Sequence, residues 1–418
     1  MHSVSVAVVV AASVLLMLTR PRGIAEVWWI AGGAAVLVLA RLVGVGAAAR
    51  AVGKGADVYA FLAGMMLLSE LARAHGVFDW LASLAMRSAR GSSMRLFGLV
   101  YAIGVVVTTF LSNDATAVVL TPAILVVVAK AKVDARPHLF ACALVANAAS
   151  FVLPISNPAN LVLFDGAMPS LGRWLASFLV ASVASILATY GVLRLFFRPA
   201  LAKAFRADAV PSPLARSGRC VLAALVGVAV VLLVASSLHV DLGLPTLGAA
   251  LVVVLGTSLA TRRNPAGLVR SVSWSTLVLV AGLFVMVEAM DGIGAARTAG
   301  QGLGWAARHG AMGSIVAAVV VGVLDNVVNN LPLGLLAGAT VAQAHPPDIL
   351  ARAILVGVDL GPNLAITGSL ATLLWLVALR KARVEVSFFQ FLRVGALVMP
   401  PALLAALAGL LATNHVLR

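Results

Sequence analysis

Four short polar stretches interrupt the apolar runs of this chain and carry nearly all the side chains there that could do chemistry. They are residues 111–122 (LSNDATAVVLTP), 153–160 (LPISNPAN), 323–330 (VLDNVVNN) and 359–369 (DLGPNLAITGS). Their hydroxyls and amides (Ser112, Asn113, Thr116, Ser156, Asn157, Asn160, Asn326, Asn329, Asn330, Asn363, Thr367 and Ser369) can surround an oxygen-rich solute or a small cation, and we read them as candidate binding residues. Asp114, Asp325 and Asp359 lie within the same spans. An ionised group there costs at least a few kcal/mol, and such residues mark ion or proton pathways, so all three are candidates for proton coupling. No Lys or Arg stands in any of the four stretches. Some of the Ser, Asn and Asp must also cap helices, because these are the preferred residues at helix starts.

The rest of the composition says what kind of protein positions them. Of 418 residues, 62% are hydrophobic and 11% charged, and the mean hydropathy is +1.06. Soluble domains carry about 25% charged residues, so this reads as an all-α polytopic membrane protein. The net charge of +15 comes from Arg and Lys in short loops, which fits cytoplasmic placement beside anionic lipid and argues against nucleic acid. Two cysteines, Cys142 and Cys220, make neither a disulfide framework nor a metal centre, and no cofactor is expected. No H-E-x-x-H or G-x-S-x-G motif is present, so we read no catalytic residue and no enzyme. The first segment lacks a basic start and a clean cleavage site, and is read as a retained helix.

The chain repeats its own plan after a little over 210 residues. AGMMLLSELARAHG from Ala63 resembles AGLFVMVEAMDGIG from Ala281, placing Glu70 opposite Glu288; FLSNDAT from Phe110 matches VLDNVVN from Val323, and LPISNP from Leu153 matches LAITGS from Leu364. Such internal similarity marks duplicated transporter halves. We divide the chain into an N-terminal repeat (1–197), a cytoplasmic linker (198–219) and a C-terminal repeat (220–418). In each repeat the first polar stretch sits between apolar arms of about 14 to 16 residues, each rising roughly 21 to 24 Å, short for a crossing. Residues 95–130 and 311–343 are therefore expected as re-entrant helical hairpins. Residues 138–164 and 349–380 are expected as crossings with unwound middles, because prolines there remove backbone donors.

Each repeat then has about five crossings and one hairpin, and the odd count inverts the second. With the first hairpin's entrance in the cytoplasm, 21 of the 30 Lys and Arg fall inside and 8 outside, with Arg393 unplaced and both termini outside. Irregular backbone at mid-depth survives only where it lines a cavity or is buried in protein, so four breaks imply a common chamber. The scattered Met residues and Cys142 read as packing, and the histidines at segment ends, His138 among them, as interfacial.

With these residues placed, the chain resembles the ArsB-type arsenite and antimonite efflux pumps of the ion-transporter superfamily. VGVDLGPNLAITGSLATLLWLVALR from Val356 carries most of the likeness, backed by VLDNVVNNLPLGLLAGA, FLSNDATAVVLTPA and SFVLPISNPANLV. The resemblance implies scaffold and transport domains working by alternating access in a prokaryotic inner membrane. It implies export of arsenite or antimonite driven by protons, sometimes aided by an ArsA-type ATPase. The family's motifs fall on Asn113 and Asp114, on Asn329 and Asn330, and on 359–362. Some such pumps have an acidic residue where this chain has Asn147 and a Lys where it has Asn363, so coupling would rest on Asp114, Asp325 or Asp359. The alternative is a Na⁺-coupled anion carrier or Na⁺/H⁺ antiporter of the same superfamily.

Overall fold

The computed structural model describes residues 2–164, 168–205, 213–262 and 264–416. Arg206, Pro211, Arg263 and Arg418, which entered the linker and charge readings, lie outside the described residues. Within them the chain is helical throughout; its one β contact is an isolated bridge between Ser92 and Ala204.

Ten helices form the first half: α1 (His2–Thr19), α2 (Glu26–Leu39), α3 (Val45–Lys54), α4 (Ala56–Ala74), α5 (Val77–Ser88), α6 (Ser93–Leu111), α7 (Asn113–Ala131), α8 (Ala135–Ala148), α9 (Pro158–Leu163) and α10 (Leu171–Phe196). Ten follow in the same order: α11 (Arg216–Ser237), α12 (Gly243–Thr261), α13 (Ala266–Ser271), α14 (Ser275–Gly292), α15 (Ala295–Arg308), α16 (Gly310–Val328), α17 (Asn330–Ala344), α18 (Asp348–Leu360), α19 (Leu370–Lys381) and α20 (Phe388–Val416). Among the described residues nine helices are long and apolar enough to cross a membrane, or ten if α3 and α4, bent by 48°, make one span. Among the described residues a single-turn helix, Arg198–Leu201, follows α10, and α11 begins at Arg216.

Reciprocal packing ties the two sets together. α4 lies against α12, and α14 against α2. Both crossings close on a glycine from the matched AG motifs: a Cβ on Gly64 would stand 2.8 Å from the Thr246 carbonyl, and one on Gly282 would stand 2.8 Å from Ile30 Cγ2 and 3.3 Å from its carbonyl oxygen. The two longest helices, α10 and α20, pack along each other, where Gly409 meets the Ala181 backbone. Trp174 and Phe178 of α10 fill the space against Phe151.

α6 with α7, and α16 with α17, fold back on themselves. The start of α16 meets α15 where Gly313 faces the Ala306 carbonyl, and the end of α17 meets the same short helix where Ala344 faces Gly300. The start of α16 and the end of α17 therefore both lie against α15. α6, α7 and α16 run 19 residues each, about 28 Å, longer than the arms read from the apolar runs. The polar motif explains the difference: Asn113, Asp114 and Ala115 form the first turn of α7, leaving Ser112 alone as the break. His138 is another correction. It is fully buried with its ring edge-on to Phe97, because α8 begins at Ala135 and carries it inward.

The glycine crossings make a direct prediction. Gly64→Ala should lower the apparent thermal midpoint in detergent by the equivalent of about 1–3 kcal/mol, because backbone cannot yield to the new methyl. Gly248→Ala, on the open face of α12, should not lower it.

Candidate functional site

Each break is built from a residue that leaves helical geometry and then caps the next helix. Ser112 (φ 120°) ends α6, and its hydroxyl accepts the Ala115 N–H; Asn329 (φ 83°) ends α16, and its carboxamide oxygen accepts the Leu331 N–H. These left-handed backbones are uncommon for residues with a side chain, and the caps help hold them. The other two breaks share a second pattern. A 3₁₀ turn at Pro154–Ser156 leads to extended Asn157, which caps α9 through the Ala159 N–H; a turn at Ile366–Gly368 leads to extended Ser369, which caps α19 through the Thr372 N–H. The hairpin breaks place Ser112 opposite Asn329. That is one helical turn beyond the match read from sequence, which set Asn113 opposite Asn326.

The four new helices begin at one place. A small chamber is lined by Asn113 and Asp114 at the start of α7, Asn157 and Pro158 at α9, Asn330 and Leu331 at α17, and Leu370 and Ala371 at α19. Leu62 of α4 and Thr276 and Val280 of α14 complete the wall. Helix starts present free N–H groups and positive dipole ends, so negatively polarised oxygens are favoured here. Among the described residues lining the chamber there is no Lys or Arg.

Only some of the residues singled out by sequence face this space. Asn113, Asp114, Asn157 and Asn330 line it, and Ser112 lines the recess beside it. The others brace the breaks. Thr116 shares a 2.8 Å hydrogen bond with Thr108 across the tip of the first hairpin. Ser156 donates to the Thr109 carbonyl, and the Asn160 amide reaches the carbonyls of Ser150, Leu153 and Pro154. Asn326 donates to the carbonyls of Gly322 and Gly361 and accepts the Ala365 N–H, while Thr367 donates back to the Asn326 carbonyl at 2.7 Å. Asn329 donates to the Thr367 carbonyl. Ser369 caps its helix and shares a hydrogen bond with Thr372.

Three hydrogen bonds at the breaks cross between halves. Asn147 Nδ2 donates to Asn363 Oδ1 at 3.0 Å, and Asn363 Nδ2 to the Leu144 carbonyl at 3.1 Å, so Asn147 and Asn363 form a neutral amide pair. Asn157 Nδ2 donates to Asp359 Oδ1 at 2.6 Å. Asp359 and Asp325 are fully buried outside the chamber.

The chamber opens to one side. A recess shares Leu62, Asp114, Pro158 and Thr276 with it and runs out to Ser271 and Glu70, which pairs with Arg73. On the far side a separate recess is bordered by Lys54 and Glu288, paired at 3.2 Å, and by Asp291, which accepts a hydrogen bond from Gln343. One helical turn divides that recess from the chamber, since Pro158, Val280 and Leu331 line the chamber while Val162, Phe284 and Leu335 line the recess. Thr276 was not found from sequence, because nothing local distinguishes a wall residue on a long crossing; Glu70 and Glu288, read there as matched landmarks of the two repeats, border the two recesses.

A helical polytopic fold with a mid-chain chamber between paired broken helices defines a membrane transporter. The chain matches the citrate transporter (CitMHS) family model over residues 6–357 and belongs to that family. It is 26% identical to an arsenical pump membrane protein of Yersinia enterocolitica, covering 95% of this chain and 96% of that one, and 25% identical over the same shares to one from Escherichia coli. An uncharacterised transporter of Mycobacterium tuberculosis is 29% identical over 82% of each chain. Among solved structures, the YdaH transporter of Alcanivorax borkumensis shares the fold, with a TM-score of 0.54 over 88% of this chain and 87% of that one at 18% identity.

The bracing and lining roles separate by experiment. Asn326→Ala strands the Ala365 N–H and should cost about 1–3 kcal/mol, read as a lower apparent unfolding midpoint. Asn113→Ala should leave the midpoint in place and impair transport alone.

Proposed function

We propose that this protein exports trivalent metalloid, arsenite or antimonite, from the cytoplasm across the inner membrane by proton antiport with alternating access. One observation carries the reading: four helix starts and the Asp114 carboxyl face a single chamber with no cationic side chain. Arsenous acid at neutral pH is an uncharged trihydroxy solute, suited to amides, hydroxyls and free N–H groups. A citrate-like trianion is less suited, since it would have only the helix dipoles to balance its charge. The arsenical pump relatives, aligned over nearly the whole of both chains, support the same substrate class.

The domain reading follows. Residues 1–197 and 220–418 are inverted repeats joined by the cytoplasmic linker 198–219, and both termini face outward. The hairpins (95–130 and 311–343) and broken crossings (138–164 and 349–380) form the transport domain, which moves against a scaffold containing α4 and α14. The recess at Glu70 faces the cytoplasm, so this conformation receives solute from inside. Release outside requires α9 and α17 to part from α14, opening the one-turn barrier at Val162, Phe284 and Leu335. Asp114, Asp325 and Asp359 carry the proton coupling, with an ArsA-type ATPase as a further partner.

Everted membrane vesicles with an imposed pH gradient test this. Arsenite should accumulate in vesicles with the natural chain, antimonite should compete, and Asp114→Asn should fall to the level of empty vesicles. Accumulation driven by a sodium gradient in place of protons would move the protein to the Na⁺-coupled alternative.

A further inference from the structure

α4 and α14, which carry the matched AG motifs, line the two recesses with matched positions. In the register that sets Ala63 opposite Ala281, Met66, Ser69 and Glu70 border one recess, and Phe284, Val287 and Glu288 border the other. Between them Leu62 and Val280, matched in the same register, both line the chamber. The two crossings therefore follow a two-fold plan about the chamber, and departures from it put hydroxyls on the Glu70 side. Ser69 is matched by Val287. Thr276, which lines both the chamber and the Glu70 recess, is matched by the buried Val58. Among the described residues the wall of the far recess has no hydroxyl.

Thr276 is also the one polar side chain that α4 and α14 bring to the chamber, among the described residues. Threonines further along a helix return their hydroxyl to the carbonyl four residues back, as Thr246, Thr261 and Thr340 do. Thr276 stands in the first turn of α14, so the carbonyl four residues back, that of Val272, lies before the helix and accepts the Trp274 N–H instead. The Thr276 hydroxyl has no hydrogen-bond partner among the described residues and is left for whatever occupies the chamber.

We infer that Thr276 is the scaffold's contact with the solute in the state open to the Glu70 recess, that Val58 takes its place in the opposite state, and that the chamber therefore holds solute more tightly on the cytoplasmic side. The inference rests on the alternating-access export reading above and deepens it. With a two-fold scaffold, the opposite state turns the chamber to the matched face. Leu62 and Val280 stay in contact, the first turn of α14 withdraws, and the first turn of α4 takes over. A hydroxyl is thereby exchanged for a methyl group. Arsenous acid carries three O–H groups, each able to donate to or accept from a threonine, and losing one such hydrogen bond weakens binding about three- to tenfold. Looser holding on the outer side favours release. Bound solute favours the cytoplasm-facing state by the same factor, which proton movement offsets.

Everted vesicles, which turn the cytoplasmic face outward, read the two sides separately. Thr276→Val should raise the KM for arsenite uptake about three- to tenfold with the maximal rate kept, and Thr276→Ser, which retains the hydroxyl, should keep the natural KM. Arsenite loaded into the same vesicles reaches the site from its outer face, and the loaded concentration that halves initial uptake should be the same for Thr276→Val as for the natural chain. Val58→Thr should do the reverse, leaving the KM unchanged and halving uptake at about three- to tenfold less loaded arsenite. The inference is overturned if Thr276→Val keeps the natural KM, or if it shifts the KM and the loaded half-inhibition by the same factor, since the contact would then serve both states. A Val58→Thr protein that elutes as a single species and behaves as the natural chain overturns the exchange. Failure of the natural chain to accumulate arsenite under a pH gradient would instead sink the export reading. Equilibrium binding of arsenite to the purified full-length protein, weakened by Thr276→Val and kept by Thr276→Ser, would still report the contact.

Discussion

Hydrocarbon offers no hydrogen bond to a bare peptide group, and this constraint governs the whole molecule. Four helices end and restart inside it, and each interruption frees N–H and C=O groups that need partners. The chain supplies them with short amides and hydroxyls: Asn160 gathers three carbonyls, Asn326 joins the second hairpin to the second broken helix, and Ser156 fixes the first break to α6. Beside this bracing, Asn113, Asp114, Asn157 and Asn330 line a single chamber.

The two halves share a plan but divide the chemistry unequally. Each hairpin breaks at a residue with positive φ, and each broken helix restarts from an extended capping residue. Asp114 follows its break and opens into the chamber, whereas Asp325 precedes its break by one turn and is buried against α18. The carboxyls that look like counterparts along the chain therefore sit in different surroundings. Asn157 and Asn363 both reach across to the opposite half, so neither copy is complete without the other.

Much of the arrangement was legible in the residues. Hydropathy alone requires a polytopic helical chain, and the recurrence of the AG motif with its glutamate marks two packing crossings of the same kind. Motif types showed where helices must break. The length of the hairpin arms was not legible, because polar residues such as Asn113 and Asp114 read as loop when they are in fact the first turn of a helix. His138 misled for a similar reason: a polar residue near a segment end is interfacial or buried depending on where the helix begins.

Sequence by itself determined the class of protein, the two-fold plan, the positions of the four interruptions and the residue types available there. It could not determine which of those residues face solute. That choice depends on the rotation of each helix about its axis and on how closely glycine lets backbones approach, and both are set by neighbours far away in the chain. Tertiary packing alone set Asn147 against Asn363, turned Thr116 into its own hairpin, and joined Asn157 to Asp359 across the two halves.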